Sequence, residues 1–196
     1  MEQSLPAELP IFEAHTSDYS EREQEIIQEY HKVQPLWQFA LLCFFTFGIY
    51  EVYWFYKNFY FFKEMEEDED TKPFWRAIFI IFFGNTLFKK ILHKAQEHGY
   101  SGYYPAGWLL FAFFIISFMH RLPDPLWLVS LFSFLPLLPI VKARNYFFSQ
   151  FEPEEKRTSA FTGGEIATLV FGVVFFLLVV LGLVLPESSN DYPAGF

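Results

Sequence analysis

Apolar residues gather along this chain in five stretches, which charged and turn-forming residues separate. The stretches cover residues 36–56, 74–92, 107–122, 126–141 and 166–185. About 20 consecutive apolar residues in a helix cross a hydrocarbon layer about 30 Å thick. Stretch 166–185 contains no charged residue, and the first, third and fourth stretches are nearly free of charge. The pattern predicts an all-α, polytopic helical membrane protein.

Stretch 74–92 differs from the other four. Only 12 residues lie between Arg76 and Lys89, which is about 18 Å of helix at about 1.5 Å per residue and too short to cross. The apolar residues of its second half share one helix face: Leu87, Phe88, Ile91, Leu92 and Ala95. We therefore expect four transmembrane helices and one short half-inserted or re-entrant helix. They form a membrane domain, residues 36–185, followed by a short C-terminal tail, residues 186–196.

Aromatic and basic residues follow the apolar part of the first and fourth stretches. Aromatic rings with a polar edge settle at headgroup depth, and basic side chains there meet lipid phosphates. The predicted membrane-interface or lipid-headgroup residues are Tyr53, Trp54, Lys57, Asn58, Arg144 and Asn145. The composition agrees, because 53% hydrophobic and 22% aromatic residues exceed what one soluble domain of this length usually buries.

An acidic tail, residues 1–35, precedes the first stretch. The net charge of -9 resides in such tails and loops, so it gives no indication of nucleic-acid binding. Ser20 and Glu23 have the spacing of a capping box at the start of a short amphipathic helix. The apolar stripe of that helix consists of Ile26, Ile27, Tyr30 and Val33. We expect it to lie on the protein's own membrane face; a docking helix for a partner is the alternative.

The distribution of Lys and Arg bears on the number of crossings. With four crossings, every Lys and Arg except Arg22, Lys32 and Arg121 lies on one side, whereas five crossings divide them nine to five. The sharper asymmetry favours four crossings with both termini outside. At an offset of 87 residues, KNFYF (57–61) aligns with RNYFF (144–148), which is either a duplicated unit or a coincidence in a chain with 28 Phe. Five crossings would relate two such units by inversion.

Three motifs in the first half of the chain carry a resemblance. They are TFGIY (46–50), YWFYKN (53–58) and PFWRAIF (73–79). The chain resembles an uncharacterised family of small bacterial polytopic membrane proteins with a GIYxxYWFYKN signature, well over residues 40 to 90 and loosely elsewhere. The resemblance implies a bacterial inner (cytoplasmic) membrane and supplies no catalytic residues.

Glu51 is the carboxylate that lies within the apolar stretches. An ionisable group inside a membrane is a functional candidate by default. Because Glu51 is followed by Tyr53 and Trp54, interfacial solvation or pairing with a cation is favoured over a role in proton relay.

Other candidate chemistry is weaker. Gly99–Gly102 (GYSG) resembles the nucleophile motif of rhomboid intramembrane proteases, and His120 follows at a later helix end, but a flexible turn is the preferred interpretation. His93 and His98 are five residues apart and on different helix faces. The lone Cys43 is expected to serve packing. We expect no catalytic residue, no metal site and no cofactor.

The last stretch carries a structural signal. Gly164, Thr168 and Gly172 recur every four residues and leave a flat stripe for close helix packing, within the monomer or against another subunit. The sequence therefore predicts a non-catalytic structural, accessory or sensor subunit of a membrane assembly, with lipid and a homo-oligomer or other membrane subunits as partners. The alternative is a small transporter or channel-like protein that uses the broken helix 74–92 and Glu51.

Overall fold

The computed structural model describes residues 19–30, 32–151 and 161–185. Within these ranges the chain is all-helical and contains no strand, as predicted. The α-helices are α1 Glu21–Tyr30, α2 Leu36–Phe45, α3 Ile49–Met65, α4 Pro73–Ile78, α5 Ile80–Glu97, α6 Ala106–Phe118, α7 Leu138–Ser149 and α8 Gly163–Val184. Short 3-10 helices cover Met119–Arg121, Leu126–Phe132 and Leu135–Leu137. The predicted C-terminal tail 186–196 and most of the acidic tail lie outside the described residues.

The predicted single helix 36–56 is a helical hairpin, α2–α3, that turns at residues 46–48. Phe47 and Gly48 are left-handed, with φ of 53° and 82°, and the Gly48 N–H donates to the Cys43 carbonyl at 3.0 Å. These contacts form a Schellman motif that ends α2. The Phe39 and Trp54 rings lie 5.6 Å apart, so α3 folds back beside α2. Because α2 has 10 residues, it is about 15 Å long, half the thickness of a hydrocarbon layer.

The predicted short helix 74–92 is broken at Phe79 and continues to Glu97. Phe79 has φ −94° and ψ 42°, which separates α4 from α5. The predicted apolar face of α5 is buried: Leu87, Phe88, Ile91, Leu92 and Ala95. The region around the break instead exposes large apolar side chains, among them Phe82.

The predicted helix 126–141 begins as 3-10 turns and becomes α-helical only at Leu138. Pro136 and Pro139 occupy first-turn positions of the helices that start there, where their missing N–H groups cost no intrahelical hydrogen bond. The resulting segment Leu126–Ser149 returns beside α6.

Two segments are long and apolar enough to cross a membrane, Leu126–Ser149 and Gly163–Val184. Length and composition alone support this statement, and α2 and Ala106–Arg121 are shorter. The helix α8 begins at a capping box of Thr162 and Glu165. It packs on α2 at Gly172, where an added Cβ would lie 2.5 Å from the Phe45 carbonyl oxygen.

Charged side chains meet at one end of the molecule, which we call the charged end. Arg22 bonds Glu67, Lys90 bonds Glu66 at 2.5 Å, and Arg144 donates to the Lys32 carbonyl at 3.1 Å. The α2–α3 hairpin turns at residues 46–48, away from this end and level with Ser133, and we call this level the hairpin end. The four-crossing prediction, which put Lys32 opposite Arg144, is not confirmed: Arg144 contacts the Lys32 carbonyl, because the α2–α3 hairpin brings α3 back beside the start of α2.

Candidate functional site

A cavity of about 570 Å³ opens at the charged end between α3 and α8, with the end of α1 and Arg144 of α7 completing its wall. It brings together five of the predicted headgroup residues: Tyr53, Trp54, Lys57, Asn58 and Arg144. Gly164 and Thr168 of the predicted small-residue stripe form part of the opposite wall. Residues that are far apart in the sequence therefore share one site.

Arg144 is fixed at the inner wall of the cavity by neutral partners. Its Nε donates to Asn58 Oδ1 at 2.9 Å, and its Nη atoms donate to the carbonyls of Lys32 at 3.1 Å and Tyr30 at 3.2 Å. Its guanidinium lies 4.4 Å from the centre of the Phe148 ring. No described carboxylate forms an ion pair with Arg144, so its charge remains uncompensated by a neighbouring anion.

The two predicted asparagines have structural roles. Asn58 accepts from Arg144, and its Nδ2 donates to the Trp54 carbonyl at 2.7 Å. Asn145 accepts from the Gln34 N–H at 3.2 Å and donates to the Gln34 carbonyl at 2.5 Å. Both amides thereby tie α7 to the first part of the chain, and neither points to a headgroup role of its own.

A polar chain links α1 to the start of α8. Gln34 Nε2 donates to the Tyr50 hydroxyl at 2.7 Å, and that hydroxyl donates to Glu165 Oε1 at 3.4 Å. The other oxygen of Glu165 bonds Lys32. Sequence reasoning missed Gln34, Lys32 and Glu165; the spacing of Thr162 and Glu165 was a visible capping signal that could have located the last one.

Two donors of the cavity wall have no described partner for their hydrogen bonds or charge. Lys57 Nζ lies 5.1 Å from the centre of the Tyr30 ring and forms no ion pair with a described carboxylate. Burial raises the pKa of the Tyr30 phenol, so the ring under Lys57 stays neutral. Trp54 is 4% exposed, and its indole Nε1 has no hydrogen-bond partner among the described residues. The Lys57 ammonium can therefore bind an anion in this part of the cavity, whereas the Trp54 Nε1 is fully buried and not accessible to a ligand.

Glu51 lies away from this cavity, at the hairpin end. It is 4% exposed, and its Oε1 accepts a hydrogen bond from Ser133 Oγ at 2.7 Å. It occupies the first turn of α3, where the helix dipole favours a negative charge. The preferred expectation of interfacial solvation or a cation partner is wrong, because the hairpin turns Glu51 inward and no described cation pairs with it.

The remaining candidates do not converge. Ser101 precedes α6 and His120 follows it, so α6, which has 13 residues and is about 20 Å long, separates them. His93 pairs with Glu97 at 3.1 Å, whereas His98 contacts Tyr19 at 3.0 Å. Among the described residues no group of His, Cys, Asp and Glu is placed to hold a metal ion.

No protein-family model, curated protein or solved structure matches this chain.

Proposed function

We propose that the chain is a non-catalytic integral membrane protein that serves as an accessory subunit of a membrane assembly. The observation that carries the proposal is the surface of α8, which is apolar around its whole circumference and exposed over nearly all of its 22 residues. Phe171 is 74% exposed and Leu177 60% exposed. Such a surface is stable only against lipid or against another helix.

The proposed arrangement has three crossings. The segment Ala106–Arg121, which extends α6 by a 3-10 turn, and the segment Leu126–Ser149 cross as an antiparallel pair, α8 crosses once, and the α2–α3 hairpin is inserted to half depth. Gly172 contacts the hairpin turn, and it lies near the middle of α8. The C-terminal end of α2 therefore reaches only the level at which α8 passes through the middle of the membrane.

The distribution of basic residues supports this arrangement. Arg22, Lys32, Lys57 and Arg144 all lie at the charged end, while Arg121 lies in the 3-10 turn at the far end of α6, beyond the hairpin turn. By the positive-inside rule the charged end faces the cytoplasm. The proposed location is a bacterial inner membrane, in keeping with the resemblance of residues 40 to 90.

Photocrosslinking tests the accessory role. A crosslinking residue at Leu177, on the exposed face of α8, is compared with one at Phe176, whose ring lies 5.4 Å from that of Phe44. In native membranes we expect Leu177 to capture a stoichiometric second protein and Phe176 to crosslink within the chain. Capture of lipid alone from Leu177 would contradict the accessory role.

A second candidate function is transport, and the observation that favours it is the buried Glu51–Ser133 pair at the hairpin end. Carboxylates inside membrane proteins mark ion pathways. Ion flux in proteoliposomes that disappears in Glu51→Gln, and persists in the exposed-site control Glu69→Gln, would support transport. Absence of flux in the unmodified protein would reject it.

A further inference from the structure

The cavity between α3 and α8 is polar at one end and apolar at the other. Ile49, Tyr53 and Lys57 are spaced by four residues, so they share one face of α3 and run along the cavity wall. Ile49 and Lys57 are eight positions apart, which is about 12 Å of helix. Lys57 lies at the charged end, while Ile49 is next to the turn at the hairpin end. The order of polarity is that of a lipid whose headgroup lies at the charged end and whose acyl chains point toward the hairpin turn.

Small residues on α8 create the space for a ligand. Gly164 and Thr168 face the cavity, and a Cβ added at Gly164 would meet no atom within 4 Å. By contrast, Gly172 further along the same stripe is packed tightly on α2. The stripe therefore has two roles: Gly172 allows close packing on α2, and Gly164 and Thr168 leave the cavity open.

The charges of the lining favour an anion. Its cations are Lys32, Lys57 and Arg144, and its carboxylates are Glu29 and Glu165. Glu165 is neutralised by Lys32, and Glu29 is exposed on α1. Lys57 and Arg144 form no ion pair with a described carboxylate, so their charges remain available to an anion. Charge-assisted hydrogen bonds from such donors to phosphate oxygens are among the strong ones.

We propose that this cavity binds an anionic phospholipid, with its phosphate held by Lys57 and the free N–H groups of Arg144 and its acyl chain lying along Tyr53 and Ile49. The headgroup expectation from sequence treated these residues as a general interfacial belt. The structure gives instead a defined concave site with a fixed guanidinium and, in Lys57, an ammonium group that forms no ion pair with a described carboxylate. The proposal rests on the membrane location proposed above and is independent of the accessory role.

Native mass spectrometry of the full chain in detergent tests this site. Phosphatidylglycerol is titrated against phosphatidylcholine with the same acyl chains, which differs in carrying a compensating choline cation. We expect tighter binding of phosphatidylglycerol, and we expect Lys57→Gln to weaken it about tenfold, the effect of losing one charge-assisted contact. The matched control is Lys89→Gln, which removes the same charge from an exposed position of α5 outside the cavity and should leave affinity unchanged.

Two further variants separate site loss from misfolding. Gly164→Leu fills the cavity from an open position and should abolish binding of phosphatidylglycerol while the thermal midpoint is retained. Trp54→Phe removes the buried indole N–H but keeps an aromatic ring, and should affect binding less than Lys57→Gln. Equal affinity for the two lipids, or equal effects of Lys57→Gln and Lys89→Gln, would overturn the proposal.

Competition with inorganic phosphate distinguishes a lipid ligand from a free phosphate anion, since both would present phosphate oxygens to the same cations. If phosphate competes with phosphatidylglycerol only weakly, the acyl chain contributes to binding and the ligand is a lipid. If phosphate binds in a Lys57-dependent manner and neither lipid displaces it, the lipid proposal is overturned and the site belongs to a free phosphate anion. Either result can be obtained with a protein that has no partner subunit, so failure here is distinct from failure of the accessory role.

Discussion

Gly172 is the residue at which backbone geometry brings α8 against the hairpin. A side chain there would collide with the Phe45 carbonyl, since the added Cβ would lie 2.5 Å from its oxygen. Gly182 on the same helix has no atom within 4 Å of such a Cβ. Two glycines that look equivalent in the sequence therefore differ in what a methyl group would do.

We expect Gly172→Ala to destabilise the protein and Gly182→Ala to leave it unchanged or slightly more stable. The first change forces α8 away from α2 at a cost of about 1–3 kcal/mol, whereas the second reduces backbone freedom in a helix without a clash. Thermal unfolding in detergent measures both. Equal midpoints for the two variants would show that α8 does not pack on α2 through Gly172.

Ser133 is the partner of the buried Glu51, and its removal should be costly. Ser133→Ala leaves Glu51 without its hydrogen-bond donor at a site that is 4% exposed, at a cost of about 1–3 kcal/mol. Ser130→Ala is the control, because the Ser130 hydroxyl donates to the Trp127 carbonyl of its own 3-10 segment. Chemical denaturation in mixed micelles compares the two. A smaller loss in Ser133→Ala than in Ser130→Ala would contradict the Glu51–Ser133 hydrogen bond.

At the scale of elements, α1 buries its apolar stripe of Ile26, Ile27 and Tyr30, and a carboxylate caps its start. Glu23 Oε2 accepts from the Ser20 N–H at 2.9 Å and from the Ser20 hydroxyl at 2.8 Å, and the backbone hydrogen bond is the main reason why the pKa of Glu23 is lowered. A hydrogen bond from Thr71 likewise lowers the pKa of Asp68 in the loop before α4. Both carboxyls thus favour the folded state when they are ionised.

We expect α1 to become less protected at acid pH. A carboxyl with a lowered folded-state pKa stabilises the fold above its unfolded pKa of about 4.3, and this contribution is lost as pH falls through the folded value. Hydrogen exchange of the α1 amides between pH 7 and pH 3, after correction for intrinsic rates, measures the loss. Glu23→Gln should make the protection of the α1 amides less dependent on pH. If the variant keeps the pH dependence of the unmodified protein, that dependence belongs to groups other than Glu23.

The elements that sequence reasoning located correctly are those whose evidence is local. An all-α chain and the apolar helix that became α8 follow from composition and from 20 residues without a charge. The direction of the chain after residue 45 does not follow, because hydropathy reports which residues avoid water and not where a helix reverses. The reversal depends on Phe47 in the left-handed region, where turn rules expect glycine, and its ring lies 5.3 Å from that of Phe175.

At the candidate site, too, the sequence predicted the features that depend on local signals and missed those that depend on tertiary contacts. Lys57 and Arg144 were found because basic residues after apolar stretches are a local signal. Their convergence with Tyr30 and Gly164 depends on tertiary contacts that join α1, α7 and α8, and no spacing in the sequence encodes them. Glu51 was misplaced for a related reason, since its neighbours along the chain are interfacial aromatics while its neighbour in space is Ser133.

At the scale of the whole molecule, the proposed arrangement predicts which positions share a side of the membrane. In a Cys43→Ala background, cysteines introduced at Ser20, Glu67, Asp124 and Leu185 are labelled with an impermeant maleimide in intact cells. We expect labelling at Asp124 and Leu185 and protection at Ser20 and Glu67, because Arg22 of α1 bonds Glu67. Opposite accessibility of Ser20 and Glu67 would instead restore a crossing at residues 36–56.

The α2–α3 hairpin turns back about halfway along α8, so it displaces lipid from one leaflet only. In the proposed arrangement the leaflet at the charged end must accommodate α1, both arms of the hairpin and α5, while the opposite leaflet accommodates little beyond the α6 pair and the second half of α8. The molecule then has the shape of a wedge. A wedge is least strained where its broader leaflet is convex, so in the proposed arrangement the hairpin turn at Gly48 would favour a membrane of that curvature.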